Sequence, residues 1–227
     1  MTAIEIIDDI QHKELRIDFK AARLAFRKEL ASVVLSEFHT LMFHYPIVFV
    51  KNGETGEFVC SVLLGINAEA SLLDAKDVED EESMPLTIRR LPLVAVDAPD
   101  GETRPLIAIN MASPSIGQGD YVFKQKSNGF EAAMFALGEL YDGYKETKHY
   151  VKKIIELDLI SKLHAEIRHA DKPAQILEGI YAIDLSKVAL LAERDDEHKN
   201  MFLEVASYVY AQNFSLYNMK KLARLIS

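Results

Sequence analysis

Two apolar runs joined by a short turn set the strongest limit on how this chain can fold. Residues 47–50 and 58–64 are rich in β-branched and aromatic side chains, and Asn52, Gly53 and Gly56 lie between them. Asparagine and glycine readily adopt the left-handed conformations that tight turns require. The pattern therefore predicts a β-hairpin of two buried strands.

A helical pattern precedes this hairpin and ends at Pro46. Apolar side chains recur at helical spacing over residues 33–45, and proline cannot continue a helix. Farther along, the patterns predict a short helix at 85–90, a strand at 91–97 and a pairing strand at 106–110. The first half of the chain is therefore expected to consist mainly of antiparallel strands.

The second half repeats this order on a larger scale. An apolar stripe over 130–155 predicts one long helix, with Asn128 as its N-cap. Strands are predicted at 162–169 and 174–183. Three helices follow at 185–192, 201–211 and 216–225, the first capped by Asp184 and the third by Ser215. Strands followed by helices, twice over, predict an α+β fold. We expect a single domain over residues 1–227, with 112–128 as the place where it could subdivide.

Composition limits the classes of function. The chain has 227 residues, of which 49% are hydrophobic and 27% charged, so an apolar core can form without a disulfide or metal. Cys60 is the single cysteine, which excludes an intramolecular disulfide and a thiolate metal cluster. The formal net charge of -9, without a basic patch, argues against binding to nucleic acid or to anionic membranes.

The sequence also shows no targeting signal. The acidic first residues, 1–14, have neither a basic region nor a long apolar region. No stretch approaches the roughly eighteen apolar residues of a spanning helix. We therefore expect no membrane insertion and a cytoplasmic location.

Several short segments, in order along the chain, resemble one bacterial family. They are Glu37-Phe38 with residues 44–49, residues 63–65, Pro85 with residues 88–92, residues 179–184, and residues 208–212 with 215–219. Together they resemble the SapC-like family, which is named for an S-layer-associated protein, over about residues 15–225. The chain departs from the family pattern at 82–84 and 91–93, where the family often has aromatic residues.

The resemblance implies a bacterial protein linked to surface-layer or envelope biology, without an established reaction. Genes of this family often neighbour genes for tryptophan-halogenase-like proteins and TonB-dependent receptors, which is an association and not a mechanism.

The arginine pair Arg89-Arg90 is the main candidate site. It lies among apolar residues between Pro85 and Pro92. A guanidinium group held near a core requires an anion, and Glu37 is the carboxylate that we expect to pair with it. Two interpretations stay open. The pair is either an internal arginine–glutamate contact, which the pattern favours, or a fork for a ligand carboxylate or peptide terminus.

Other polar clusters favour simple structural interpretations. His39 and His44 are five residues apart, and His164 and His169 fall on opposite faces of a strand, so no metal site is expected. The glycine-containing loop at 113–120 lacks the lysine of a phosphate-binding loop. The acidic run at 74–82 lacks the spacing of a calcium loop and is expected to be a solvated loop. No cofactor is expected.

The leading hypothesis is a non-enzymatic accessory or binding protein with a protein or peptide partner. Aromatic residues in the C-terminal helices also allow a homo-oligomer to form there. The alternative is an enzyme, or a cofactor-dependent helper of one such as a halogenase-like oxidoreductase. Its site would be formed by Glu37, His44, Tyr45, Arg89 and Arg90.

Overall fold

The computed structural model describes residues 4–67, 70–73, 81–98, 105–124, 127–169 and 172–225. The chain divides into two compact units. Unit 1 is Met1–Phe26 with Ala75–Asp142, and unit 2 is Arg27–Asp74 with Gly143–Ser227. The sequence therefore enters each unit twice, and the expectation of one domain over residues 1–227 stays a prediction.

The elements follow in chain order. The strands are β1 (Ile4–Ile6), β2 (Arg16–Ile17), β3 (Leu30–Ser32), β4 (Ile47–Lys51), β5 (Phe58–Leu63), β6 (Gly65–Asn67), β7 (Ala70–Ser71), β8 (Leu93–Val96), β9 (Leu106–Asn110), β10 (Asp120–Tyr121), β11 (Ile160–Lys162), β12 (Ala165–His169), β13 (Lys172–Leu177) and β14 (Ile180–Ile183). The helices are α1 (Phe19–Leu24), α2 (Phe38–Leu41), α3 (Leu86–Arg89), α4 (Asn128–Glu156), α5 (Leu185–Leu190), α6 (Asp196–Ser215) and α7 (Met219–Arg224). Short 3-10 turns occur at Leu35–Glu37, Glu81–Ser83, Leu191–Glu193 and Leu216–Asn218.

Unit 1 is built on a three-stranded antiparallel sheet in the order β1-β9-β8, beside the short pair β2 and β10. Leu93 and Ile109 pair across β8 and β9, and both are fully buried. Helix α4 packs on this core so closely that a Cβ atom on Gly129 would lie 2.7 Å from the ring of Phe19. Helix α3 and strands β8 and β9 lie where the sequence predicted a helix and two pairing strands.

Unit 2 contains a five-stranded antiparallel sheet in the order β11-β14-β4-β5-β3. Its centre is the predicted hairpin, which is confirmed: Ile47 pairs with Val62 and Lys51 with Phe58. The turn between them uses Gly56 at φ +70°, a conformation that side chains with a Cβ atom rarely adopt. The α+β class follows from these antiparallel sheets and from the helices around them.

The helix predicted at 33–45 is wrong in extent. Val34 is extended, with φ −106° and ψ 164°, and only a 3-10 turn and the short helix α2 follow. The helical segment begins at Leu35 because side chains bind the backbone amides there. The Glu37 carboxylate accepts from the Val34 amide at 2.9 Å, and the Thr147 hydroxyl accepts from the Leu35 amide at 2.9 Å. The spacing of apolar residues in the sequence carries no information about these polar contacts, so it could not predict where the helix begins.

The second half also differs from prediction at its boundaries. The strand predicted at 174–183 is two strands, because Gly179 at φ +74° breaks it. The cap of α4 is Ser127, whose hydroxyl accepts from the Phe130 amide at 3.3 Å, one residue before the predicted Asn128. Asp184 caps α5 as predicted, accepting from the Ser186 amide at 3.0 Å. Of the acidic run at 74–82, residues 74–80 lie outside the described residues.

The prediction that Ser215 caps the last helix is wrong. Ser215 has helical geometry, with φ −58° and ψ −28°, and it is the final residue of the 20-residue helix α6. The predicted helix at 201–211 is therefore longer at both ends than its apolar pattern indicated.

Candidate functional site

Three polar side chains lie on the buried face of α6 and of the turn that follows it. They are Gln212, Ser215 and Asn218, three residues apart, and we call them the polar clamp. Gln212 and Ser215 have no exposed surface, and Asn218 is 7% exposed. Buried polar groups are costly unless they are hydrogen-bonded, so their partners define what this face of the helix holds.

Gln212 fills a gap in the five-stranded sheet. Strands β14 and β4 pair directly at two positions, of which the second is Tyr181 opposite Phe49. Continuing that register would place Ile183 opposite Ile47. Instead, Gln212 Oε1 accepts from the Ile183 amide at 3.2 Å, and Gln212 Nε2 donates to the Ile47 carbonyl at 2.7 Å. The side-chain amide thus takes the place of one ladder rung where the two strands diverge.

Ser215 and Asn218 hold the segment between α2 and β4. The Ser215 hydroxyl accepts from the Ile47 amide at 2.7 Å. Asn218 Nδ2 donates to the carbonyls of Met42, at 2.7 Å, and of Tyr45, at 3.3 Å. Helix ends leave carbonyl groups without intrahelical partners, and Asn218 supplies a donor where α2 ends.

Lys221 extends this contact to the surface. Its ammonium group donates to the carbonyl of Phe43 at 3.0 Å and to that of His44 at 3.2 Å. Residues 42–47 are therefore tied to the C-terminal helical segment by side chains from four positions. The turn that carries His44 and Tyr45 is fixed by α6 and α7 and does not depend on its own local sequence alone.

An aromatic cluster lies in the core of unit 2. The ring of Tyr150 contacts those of Phe38, Phe49 and Tyr208, with centroid distances of 5.9, 6.5 and 5.8 Å. Within the part of the chain that the structure describes, the buried Tyr150 hydroxyl has no hydrogen-bond partner. Burial raises the pKa of Tyr150 well above its usual value, and the electrostatic effect of Cys60 adds to the rise.

Cys60 lies on β5, where it pairs with Phe49 of β4, and it is 1% exposed. Burial raises the pKa of the Cys60 thiol far above its usual range, so the reactive thiolate form is strongly disfavoured. Cys60 is therefore packed as a small apolar residue.

The residues of the predicted ligand site fall in both units. Glu37, His44 and Tyr45 belong to unit 2, and Arg89 and Arg90 belong to unit 1. The rings of His44 and Tyr45 lie 6.1 Å apart, with Tyr45 buried and His44 half-buried. Their joint action on a ligand stays a prediction, as does the pairing of Glu37 with an arginine.

Arg90 has a contact within its own loop. Its Nη1 donates to the carbonyl of Leu93, the first residue of β8, and the Leu93 amide donates back to the Arg90 carbonyl at 2.8 Å. Burial lowers the pKa of Arg90, because the charged guanidinium is partly removed from water. This contact joins the end of α3 to the start of the sheet in unit 1.

Large apolar side chains face solvent on α6 and on the 3-10 turn that follows it. We call them the aromatic stripe: Leu203, Tyr210, Phe214 and Tyr217 are 71%, 45%, 63% and 74% exposed. Separations of seven and four residues keep Leu203, Tyr210 and Phe214 on one face of α6, and Tyr217 follows on the 3-10 turn Leu216–Asn218. Phe43, which is 66% exposed, lies on the turn that Lys221 holds.

In the described ranges, no three or more His, Cys, Asp or Glu side chains come together in a way that could hold a metal ion. Of the helices in those ranges, none is both long enough and apolar enough to cross a membrane.

The fold and these contacts define an α+β protein with a helix fixed to a sheet on one face and exposing apolar side chains on the other. The chain belongs to the SapC family, whose model matches residues 7–222. No curated protein and no solved structure matches it significantly. Two segments that carry the sequence resemblance, 44–49 and 208–212 with 215–219, are the segments that the polar clamp joins.

The polar clamp was missed by the sequence analysis, although a signal was present. Gln212, Ser215 and Asn218 recur every three residues on the same helical face as the apolar Val205, Val209 and Leu222. Polar side chains at regular helical spacing on a buried face indicate that they satisfy another element's backbone.

Proposed function

We propose that this SapC-family protein is a non-enzymatic accessory protein that binds another protein through the aromatic stripe. Single exposed apolar residues are ordinary on protein surfaces, whereas a contiguous patch is typical of an interaction site. Three such residues on one face of α6, with Tyr217 on the 3-10 turn that follows it, are the observation that carries the proposal. The family resemblance ties this binding role to the bacterial surface layer or envelope, and that link is part of the proposal.

The attachment of α6 supports the proposal. The polar clamp fixes its C-terminal end to β4, and an ion pair between Lys153 of α4 and Glu204 fixes a point nearer its N-terminal end. A helix that is already held in place loses little conformational entropy when a partner binds. Tyrosine and phenylalanine also provide large contact areas with few rotatable bonds, which is why they are enriched at interfaces.

Site-specific photocrosslinking in the producing cell tests this proposal. A benzophenone amino acid replaces Tyr217, and the control places it at Phe135, which is 60% exposed on α4 in unit 1. We expect one defined crosslinked protein from position 217 and none from position 135. The crosslink should disappear when Phe214→Glu is added, and the captured protein, once purified, should bind the chain in calorimetry.

Two results would contradict the proposal. One is an identical crosslinking pattern at both positions, since the stripe would then be an ordinary surface. The other is turnover of a metabolite by the purified chain that persists in the Phe214→Glu variant, because the main activity would then be enzymatic and independent of the stripe.

A further inference from the structure

We infer that the partner bound by the aromatic stripe is an acidic, amphipathic segment of another protein, which binds Lys220 and Lys221 through carboxylates and covers the stripe with apolar side chains. This inference rests on the proposed function, because it names the chemistry of the occupant of the same surface. Two observations support it. The two lysines lie beside exposed aromatic residues, and the two segments that carry these residues contain no carboxylate side chain.

Lys220 lies beside Tyr217, the most exposed member of the stripe. Its ammonium group is 5.2 Å from the centroid of the Tyr217 ring, and both side chains are exposed. Within the described part of the chain, no carboxylate forms an ion pair with Lys220. A partner's carboxylate next to this ring would therefore meet a cation that the chain itself leaves without a counter-charge.

Lys221 lies beside the turn that carries the exposed Phe43. Its ammonium group donates to the carbonyls of Phe43, at 3.0 Å, and of His44, at 3.2 Å. A carbonyl is neutral, so these bonds hold the ammonium group in place without cancelling its charge, and one of its three donors is left over. Because the lysine is exposed, that charge faces solvent. Two cations are thus held near one end of the stripe.

The two segments that meet here contain no acidic residue. The chain as a whole has 35 Asp and Glu residues and a formal net charge of -9. Even so, residues 38–53 and 205–227 contain none, and the second of these segments includes both lysines. These segments therefore bring only positive side-chain charge to a surface with exposed aromatic rings. Complementary charge favours a partner that combines carboxylates with apolar side chains.

The charge of the whole chain favours a short protein segment over an anionic membrane. A segment that lies on the stripe meets mainly the charges within one Debye length, about 8 Å at physiological salt. A bilayer surface is extended, so it also meets the remaining charges of a chain whose net charge is -9. An acidic segment gains the attraction of the two lysines and avoids most of that repulsion.

Selection of short random peptides, displayed on phage, against the full chain tests this inference. The Phe214→Ser chain serves for counter-selection, so that only peptides bound at the stripe are kept. We expect the recovered peptides to combine aromatic or aliphatic residues with an excess of Asp and Glu. Selection against Lys220→Glu should recover peptides without this excess. Selection against Lys145→Glu, which changes an exposed lysine of α4, should recover the wild-type class.

Calorimetry with one synthesised peptide of the wild-type class measures the effect. Lys220→Glu should weaken its binding about fivefold or more, because an attraction is replaced by a repulsion. Lys220→Arg should retain the binding, since a guanidinium keeps the charge and can also stack on a tyrosine ring. Lys145→Glu should leave it unchanged. Raising the salt concentration should weaken the wild-type complex more than that of Lys220→Gln. Equal Tm values for these variants would show that none has lost its fold.

The inference is overturned if the wild-type peptides have no acidic excess, if the excess persists in selection against Lys220→Glu, or if no peptide depends on Phe214. Two other occupants would overturn it as well. Binding to vesicles that contain phosphatidylserine, if Lys220→Glu abolishes it, would assign the surface to a membrane. A dimer that Phe214→Ser dissociates would assign it to a second copy.

The proposed function is judged separately, by the crosslink from position 217. A protein that is captured there equally well by wild type and by Lys220→Glu keeps the proposed function and removes the acidic partner. The absence of both the crosslink and the acidic peptides removes both.

Discussion

Replacing Gln212 by methionine should destabilise the protein well beyond the loss of one ordinary side chain. Methionine has nearly the same length and shape, so packing changes little, but it can replace neither hydrogen bond. The Ile183 amide and the Ile47 carbonyl, which Gln212 meets at 3.2 and 2.7 Å, would be left buried without partners. Each such group costs about 1–3 kcal/mol. We expect a loss of about 3 kcal/mol, or about 6–12 °C in Tm for a chain of this size.

Thermal unfolding followed by circular dichroism measures this loss. Asn213→Met is the matched control, since Asn213 is the half-buried neighbour on the same helix, and it should change Tm little.

Gln212→Glu adds a second readout. An ionised carboxylate can accept from the Ile183 amide but cannot donate to the Ile47 carbonyl, whereas a protonated one can do both. Its deficit relative to Asn213→Glu should therefore shrink as the pH falls. Equal losses from Gln212→Met and Asn213→Met would refute the assigned role.

Tyr150→Phe should raise Tm by about 2–4 °C, because it removes a buried hydroxyl that has no partner among the described residues; a fall in Tm would reveal a partner. Burial raises the pKa of Tyr150, so the folded protein loses stability as the pH rises above the unfolded value of about 10, because the unfolded chain releases this proton first. Unfolding titrations should therefore show a smaller alkaline loss in Tyr150→Phe than in wild type. Arg90→Ala should lower Tm by about 2–6 °C through loss of the bond to the Leu93 carbonyl, and an unchanged Tm with loss of a bound anion would instead favour a ligand-binding role.

Local patterns predicted the elements whose signals lie within one segment. The hairpin of β4 and β5 depends on two apolar runs and on a turn with Gly56 at positive φ, all within seventeen residues of one another. Helix α5 begins where Asp184 indicated, because an N-cap contacts residues two or three positions ahead. For such elements, the interactions that determine where the element begins and ends are all made by neighbouring residues.

The missed features depend on residues far apart in the sequence. Leu35 begins its 3-10 turn against the hydroxyl of Thr147, 112 residues away. Ser215 was interpreted as a cap because serine is common there, but its hydroxyl bonds to the Ile47 amide, 168 residues away. A propensity describes what a residue can do locally, and the distant partner decides which of these options is used.

For the candidate ligand site, too, the sequence indicated some features and not others. The structure shows that Arg90 donates to the carbonyl of Leu93, three residues on, a contact that the sequence did not indicate. The expected pairing of an arginine with Glu37 stays a prediction. A backbone carbonyl is an acceptor at every position, so no residue type in the sequence indicates which one an arginine will reach.

The rung formed by Gln212 has a consequence during synthesis on the ribosome. Gln212 is made 165 residues after Ile47 and 29 residues after Ile183. While the chain emerges, strands β4 and β14 can already be present, yet the amide that joins their diverging ends is not. For that interval the nascent sheet has an open seam of unpaired polar groups, the kind of edge to which a foreign strand can add. Chaperone contact at this stage of translation would protect the seam until α6 closes it.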